Sequence, residues 1–483
     1  MGSPALVGLD VGTTGVKALA LSADGEVLAV ATRGYPLSTP RPGWSEQDPE
    51  DWWRAAESAL AEVASGREVA GIGLSGQMHG LVTLDESGRV IRPAILWNDQ
   101  RTAEECAEIE QRVGFERLVA LTGNRALTGF TAPKLLWLRR HEPEAYARIA
   151  RVLLPKDVVR QRLTGDWAID ASDASGTLLL DVEQRDWSGE VIEALELPSV
   201  WLPPVLESPA RAGAVRAGHE RQGTPVAAGA GDQAAAAVGV GAVRPGVLSV
   251  VLGTSGVVLA PLPAYAHDDE ARVHAFCHAV PGTWQAMGVM LSAAGSLQWV
   301  RDVAAPGSPF DGLVDEAGAW PAGAEGLVFL PYLAGERTPH ADPDARGAFV
   351  GLHVRHDRGA LVRAVLEGVA FGLRDSFDLL GELGVEATAA RASGGGARSR
   401  LWLRIVASVL GVPLELTESE EGSAFGAALL GGVAAGVFAD VHEAVERCVR
   451  VRDTVEPDPA WQETYAGLQD RYRALYPALK VAR

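Results

Sequence analysis

Cysteine, lysine and asparagine are scarce in this 483-residue chain. The three cysteines, Cys106, Cys277 and Cys448, stand far apart and form neither a CxxC pair nor a zinc-ligand spacing. That excludes a disulfide scaffold and a cysteine metal centre, and a sparse, odd count fits a reducing compartment. Long apolar runs are also missing. The longest, Ala424 to Phe438, has 15 residues, whereas a bilayer-spanning helix needs about 20. Its Ala and Gly content predicts a helix packed closely on a neighbour, and no membrane partner is expected. The first ten residues carry neither the basic nor the apolar region of a signal peptide, so a cytoplasmic protein is expected. Lys and Arg total 43 against 62 Asp and Glu, for a net charge of −19. With no basic cluster to meet phosphates, nucleic-acid binding is excluded. An anionic ligand must instead be held by a local site.

Only four lysines and two asparagines stand against 39 arginines. A position that needs a compact ammonium resists exchange for a planar guanidinium, so the surviving residues mark places to read. Lys17 follows a Gly/Thr turn, Lys134 lies in GFTAPKLLW and Lys156 in LLPKD. Asn98 lies in LWNDQR and Asn124 in LTGNR.

Two segments echo each other. Gly12, Thr13, Thr14 and Gly15 align with Gly253, Thr254, Ser255 and Gly256, an offset of 241 residues, about half the chain. Each is flanked by apolar β-type runs, so each reads as a hairpin whose Gly/Thr tip exposes backbone N–H groups and hydroxyls. Two matched turns suggest two related halves, with a boundary that divides the chain into residues 1–243 and 244–483. Elsewhere the patterns predict helices at Pro49 to Val63, Arg358 to Asp378 and Leu401 to Leu410, and a strand at Val69 to Ser75.

The first echo also contains a carboxylate, in GLDVGTTG. Glycines let backbone approach a polyphosphate, and Thr hydroxyls and N–H groups donate to its oxygens. Asp10 would be repelled by phosphate directly, so its natural task is to hold Mg²⁺. Thr13, Thr14 and Lys17 then form one half of a phosphate clamp, and Gly253, Thr254, Ser255 and Gly256 the other. A third feature, SGGGARS, places Gly394, Gly395, Gly396 and Ser399 before a helix, where a flat ligand can approach and the helix N-terminus favours anions. Gly71, Gly73 and Gly76 spell the dinucleotide fingerprint, but a strand follows them where a helix is required.

Phosphoryl transfer to a hydroxyl needs a carboxylate to take the proton. Asp232, in VAAGAGDQAAAAVGVGAV, sits between a strand and a small-residue helix shortly before the second turn. An Asp there also serves as a plain helix cap.

The order of hairpin, hairpin and Gly-rich loop resembles the actin/hexokinase superfamily. The resemblance implies an α/β fold of two duplicated ribonuclease H-like domains around a central cleft. GFTAPKLLWLRRH (Gly129 to His141) and GAFVGLHVRHDRGALVRAVLE (Gly347 to Glu367) resemble the signatures of the FGGY family of carbohydrate kinases. The second departs at Ala360, usually polar, which predicts a weaker helix cap. SGQMHG, AILWNDQR, VLLPKD and FLPYLAGERTPH are similar to family members that act on D-xylulose. The resemblance implies ATP and Mg²⁺ as cofactors, Asp232 as base and Asp10 as metal ligand. It implies a sugar site of Met78, His79, Trp97, Asn98, Asp99, Asp232 and Gln233, and it leaves a homodimer open. Gln233 stands where those members usually have Asn, the same amide with a longer reach. A kinase for ribulose, fuculose, gluconate or glycerol, or an ATP-driven switch on the same fold, stays open beside this reading.

Overall fold

Apolar runs at Ala5–Val11 and Gly15–Leu21 form strands β1 and β2, whose apolar side chains are buried. The computed structural model describes residues 4–481. The two strands pair antiparallel, and β3 (Val27–Gly34) extends the meander. Helix α1 (Pro49–Val63) starts where Asp48 accepts a hydrogen bond from Glu50 N, with Pro49 in its first turn. It buries Trp52, Ala56 and Leu60 against the sheet. β4 (Val69–Gly76) then runs parallel to β1. Helices α2 (Thr131–His141) and α3 (Pro155–Thr164) precede β5 (Arg211–Ala214), β6 (Pro225–Ala227) and β7 (Ala230–Gly231). The first sheet has the order β5-β6-β4-β1-β2-β3, with β7 also pairing to β4. Helix α4 (Asp232–Val240) follows β7 without a loop.

The second sheet begins with the hairpin β8 (Val247–Leu252) and β9 (Gly256–Leu262), then adds β10 (His274–Cys277) and β11 (Trp284–Met290). The long helix α5 (Arg358–Glu382) leads to β12 (Ala389–Ser393), α6 (Arg400–Leu410), β13 (Leu414–Thr417), α7 (Gly422–Ala434) and β14 (Val451–Val455). Its order is β10-β11-β9-β8-β12-β13-β14. Both sheets therefore follow one plan. An antiparallel trio (β3-β2-β1 or β11-β9-β8) is extended by two parallel strands (β4 and β6, or β12 and β13). The single echo of GTTG in GTSG marks a repeated structural unit.

Helix α7 comes late in the chain yet packs on β1 and β4 of the first sheet and on α4. Missing side chains permit this approach. A Cβ at Gly73 would lie 1.8 Å from Ala427 O, and one at Gly426 would lie 1.9 Å from Ala235 O. The expected weak cap at Ala360 is corrected: α5 starts at Arg358, and the Asp357 side chain accepts from Ala360 N at 3.1 Å. Ala360 is in the helix's first turn, and a residue three positions earlier caps it. Among the described residues no helix is long and apolar enough to cross a membrane.

Candidate active site

The ends of β1, β4 and β7 lie side by side. Asp10 is opposite Ser75, and Ser75 is opposite Ala230. Ser75 Oγ donates to Asp10 Oδ1 at 3.0 Å. Asp232, the first residue of α4, leaves the same edge two residues after Ala230. Burial raises the Asp10 carboxyl above its ordinary range, against the pull of Ser75 and Lys17. Burial, and then the charge of Asp10, push Asp232 up to about 7, while hydrogen bonds from Gln233 oppose the shift. The charge of Asp10 acts on Asp232, and the two carboxylates are hard oxygen donors of the kind a divalent cation takes. Asp232 does not cap its helix; Gly231 occupies that position without a side-chain bond.

The turn between β1 and β2 is tied down through its carbonyls. Gln47 Nε2 donates to Thr13 O at 2.7 Å, Gln77 Nε2 to Gly12 O at 3.3 Å, Tyr35 N to Thr14 O at 3.3 Å, and the Tyr35 hydroxyl also reaches Gly12 O. The amides of Thr13 and Thr14 have no partner among the described residues. The turn between β8 and β9 repeats this arrangement. Gly253 O and Thr254 O accept from Ala294 N at 2.8 Å and Ala293 N at 2.9 Å, while the amides of Gly253, Thr254 and Ser255 are free among the described residues. Both tips thus present donors with their acceptors turned away, which suits polyphosphate oxygens. Lys17 instead pairs with Glu421, just before α7.

At the Gly-rich loop, the three glycines do different things. Gly394 has φ 87° and a Cβ there would meet Leu252 C at 2.8 Å; Gly396 presses on Leu252 and Trp402. Only Gly395 faces open space. Gly394 and Gly396 thus also serve contact with the second hairpin and α6. Ser399 caps α6 by accepting from Trp402 N at 3.2 Å. Gly394 and Gly395 line a groove of about 200 Å³ together with Arg398, Leu416, Thr417, Glu420 and Arg452.

His79 has φ 70°, and its Nδ1 lies 2.7 Å from Gly176 O. A carbonyl only accepts, so Nδ1 carries the proton and Nε2 is left to accept a hydroxyl. Burial pushes the ring down to about 3, so it stays neutral. The backbone of His79 is held by Thr131 Oγ1 at 3.0 Å and by the buried Lys134 Nζ at 2.9 Å, both donating to His79 O. Met78 is sealed beneath Gly231, where a Cβ would come 2.8 Å from Met78 Cγ. Trp97, 40% exposed, donates from Nε1 to Thr13 Oγ1 at 3.0 Å and so ties its loop to the turn between β1 and β2. Asn98 lines a separate groove with residues 39–45. Asp99 is fully buried, and both its oxygens are engaged, by Ser45 N at 2.7 Å and by Arg101 at 2.7 and 2.9 Å. Gln233 is half-buried beside Asp232.

Several residues were missed by sequence reasoning. Ser75 and Gln77 lie in SGQMHG, read only for Met78 and His79. Arg337 lies in FLPYLAGERTPH; its half-buried guanidinium makes no hydrogen bond among the described residues. Its loop is strapped to the second sheet, where Thr338 N donates to Val289 O at 3.0 Å and Thr338 Oγ1 to Arg272 O at 2.9 Å. Its charge helps depress both His79 and His274. Glu421 carries no local signal.

Comparison with known proteins follows the same lines. Residues 5–239 match the N-terminal domain of the FGGY family of carbohydrate kinases and residues 248–435 its C-terminal domain. A xylulose kinase of Escherichia coli (strain K12) is 43% identical, over 98% of this chain and 99% of that protein. A xylulose kinase of Bacillus subtilis (strain 168) is 38% identical over 98% and 97%. The crystal structure of a "xyloylose kinase" from Brucella ovis superposes with a TM-score of 0.93 at 44% identity, covering 99% of this chain and 100% of that one.

Proposed function

The chain belongs to the FGGY family of carbohydrate kinases, and on that premise we propose that it phosphorylates D-xylulose from ATP, giving ADP and D-xylulose 5-phosphate. The observation that carries the mechanism is the pair Asp10 and Asp232 at one sheet edge, beside a turn of free amides. Asp232 accepts the proton of the sugar's terminal hydroxyl as that oxygen forms its bond to the γ-phosphorus and the bond to the β-phosphate oxygen breaks. With a pKa of about 7, Asp232 is a base matched to neutral pH. The amides and hydroxyls of Thr13, Thr14, Thr254 and Ser255 stabilise the charge that develops on the transferring group. Asp10, with one oxygen held by Ser75, is the residue to hold Mg²⁺, which when bound neutralises phosphate charge. His79 Nε2 and the Gln233 amide orient the sugar hydroxyls. Asp99 acts indirectly, by fixing the loop that presents Trp97.

ADP release by the purified protein with MgATP and a panel of D-xylulose, ribulose, fuculose, gluconate and glycerol tests the reading. A kcat/KM for D-xylulose at least about tenfold above every other acceptor is expected, since a site built to hydrogen-bond particular hydroxyls rejects analogues that leave it unpaired. Preference for another acceptor would move the specificity, and ADP release indifferent to all of them would overturn the sugar kinase reading in favour of an ATP-driven switch. Asp232→Ala should lower kcat by about 10²–10⁴-fold while ATP still binds.

A further inference from the structure

The segment that delivers Asp232 hangs from a buried group of charges. Lys156, Asp157, Arg160, Asp170 and Asp173 are all fully buried. Lys156 Nζ lies 2.7 Å from Asp157 Oδ1, 2.6 Å from Asp170 Oδ1 and 3.0 Å from Asp173 Oδ2, and Arg160 lies 2.8 Å from Asp157 Oδ1. Burial, with Asp157 and Asp170 adding to it against the pull of Lys156, drives the Asp173 carboxyl well up. Two cations face three acidic side chains, of which Asp173 is the one disfavoured as a carboxylate. Such a group is a poor way to gain stability, because each ion loses its water and an apolar core of equal volume often does as well.

What distinguishes the group is where its remaining hydrogen bonds go. Arg160 donates to Ala228 O at 2.7 Å. Gly229 N donates to the carbonyl of Ser208, whose hydroxyl donates to Asp170 Oδ2 at 3.1 Å. Gly231 N donates to Ser172 Oγ at 3.2 Å, and the Ser172 hydroxyl donates to Asp170 Oδ2. Three of the four residues before Asp232 are gripped in turn. The stretch that follows Asp170 also carries Gly176, whose carbonyl sets the tautomer of His79.

We propose that Ser172, held by Asp170, which Lys156 pairs in turn, is a positioning residue for phosphoryl transfer: it fixes the Gly231 amide and thereby aims the Asp232 carboxylate at the acceptor hydroxyl. The proposal rests on the reading of Asp232 as the base. Loss of the handle lets the carboxylate drift while the sugar and nucleotide contacts stay in place.

The test is a comparison of two serines with equal hydrogen-bond counts. Ser408, also buried, lies on α6 in the second half of the fold, donates to Arg404 O at 2.7 Å and accepts from Asp458 N at 3.0 Å. Ser172→Ala should lower kcat about 10- to 100-fold with both KM values within about threefold, because a misplaced reacting group costs rate more than binding. Ser408→Ala should lose comparable thermal stability and keep kcat. Should Ser172→Ala fail to fold, Ser172→Cys keeps the volume with a weaker hydrogen-bonding group and should show the same split. An unchanged kcat in the Ser172 variant, with or without a raised sugar KM, overturns the proposal. So does a fall in kcat that tracks melting temperature equally in both serine variants. Near-normal turnover by Asp232→Ala would instead remove the base, and this proposal with it, whatever the serine variants do.

Discussion

Asp232 is disfavoured as a carboxylate by burial and by Asp10, and that tension is measurable in two ways. The base must be unprotonated, so kcat/KM should fall about tenfold per pH unit below a pKa of about 7. The stability consequence has its own sign. An acid whose folded pKa exceeds its unfolded value of 3.8 binds more protons when folded between those two values. Its contribution is therefore fully present below pH 3.8 and is lost as pH rises through about 7. Asp232→Asn cannot ionise, so it should melt above the parent at pH 8, by about 2–4 °C per kcal/mol relieved, with the gap closing toward pH 4. Equal melting at pH 8 would mean that the carboxylate is not strained there. His79 makes the contrasting case: a ring pushed down to about 3 adds no limb to the pH profile. His79→Leu should raise the sugar KM by about 2- to 12-fold, the worth of one neutral hydrogen bond, and leave the ATP KM alone. At this scale the motifs were legible as neighbourhoods but not as directions. LWNDQR and SGGGARS drew attention to their loops, yet Asp99 spends both oxygens on Ser45 and Arg101, and Ser399 turns its hydroxyl to Trp402. Which way a side chain points depends on partners distant in sequence, such as Glu421 for Lys17, 404 residues away.

Elements with a local cause were readable, and elements defined by pairing were not. Both hairpins, α1 and the long α5 follow from periodicity, Gly/Thr turns and caps. The sheet order β5-β6-β4-β1-β2-β3 joins strands as distant as Val226 and Ile72, and no short-range pattern encodes it. The false dinucleotide fingerprint shows the same limit from the other side. Gly71 and Gly73 are needed because α7 lies on them, with a Cβ at Gly71 only 2.3 Å from Gly431 O. Sequence reasoning could reject the motif from the strand after it but could not supply that contact. The Gly-rich loop gives a direct test, because adjacent glycines differ. Gly394→Ala places a Cβ 2.8 Å from backbone at φ 87° and should destabilise the fold by about 1–3 kcal/mol through overpacking, with strain in addition. Gly395→Ala meets nothing within 4 Å, so melting should hold while the ATP KM rises if the groove beside it takes the nucleotide. Thermal melts and ATP titrations of both variants decide the assignment. An unchanged ATP KM in Gly395→Ala would move the adenosine site elsewhere.

The whole molecule carries −19 charges and must nevertheless bind a polyanion. The turns that face the cleft offer amides and hydroxyls, and the one lysine beside them, Lys17, is paired with Glu421. Attraction for phosphate is therefore short-ranged and made of dipoles, while the long-range field repels. Those two components respond differently to salt. Dipolar contacts inside a closed site are little screened, whereas repulsion from charges spread over the surface acts over a Debye length of about 10 Å at 0.1 M and about 30 Å at 0.01 M. Raising ionic strength from about 0.01 to 0.1 M should thus lower the KM for MgATP by shortening the repulsive field. D-Xylulose is uncharged, so its KM should stay flat over the same range and serves as the internal control. A KM for MgATP that rises with salt would reveal an unpaired cation in the clamp, and Lys17, released from Glu421 on closure, would be the first residue to replace.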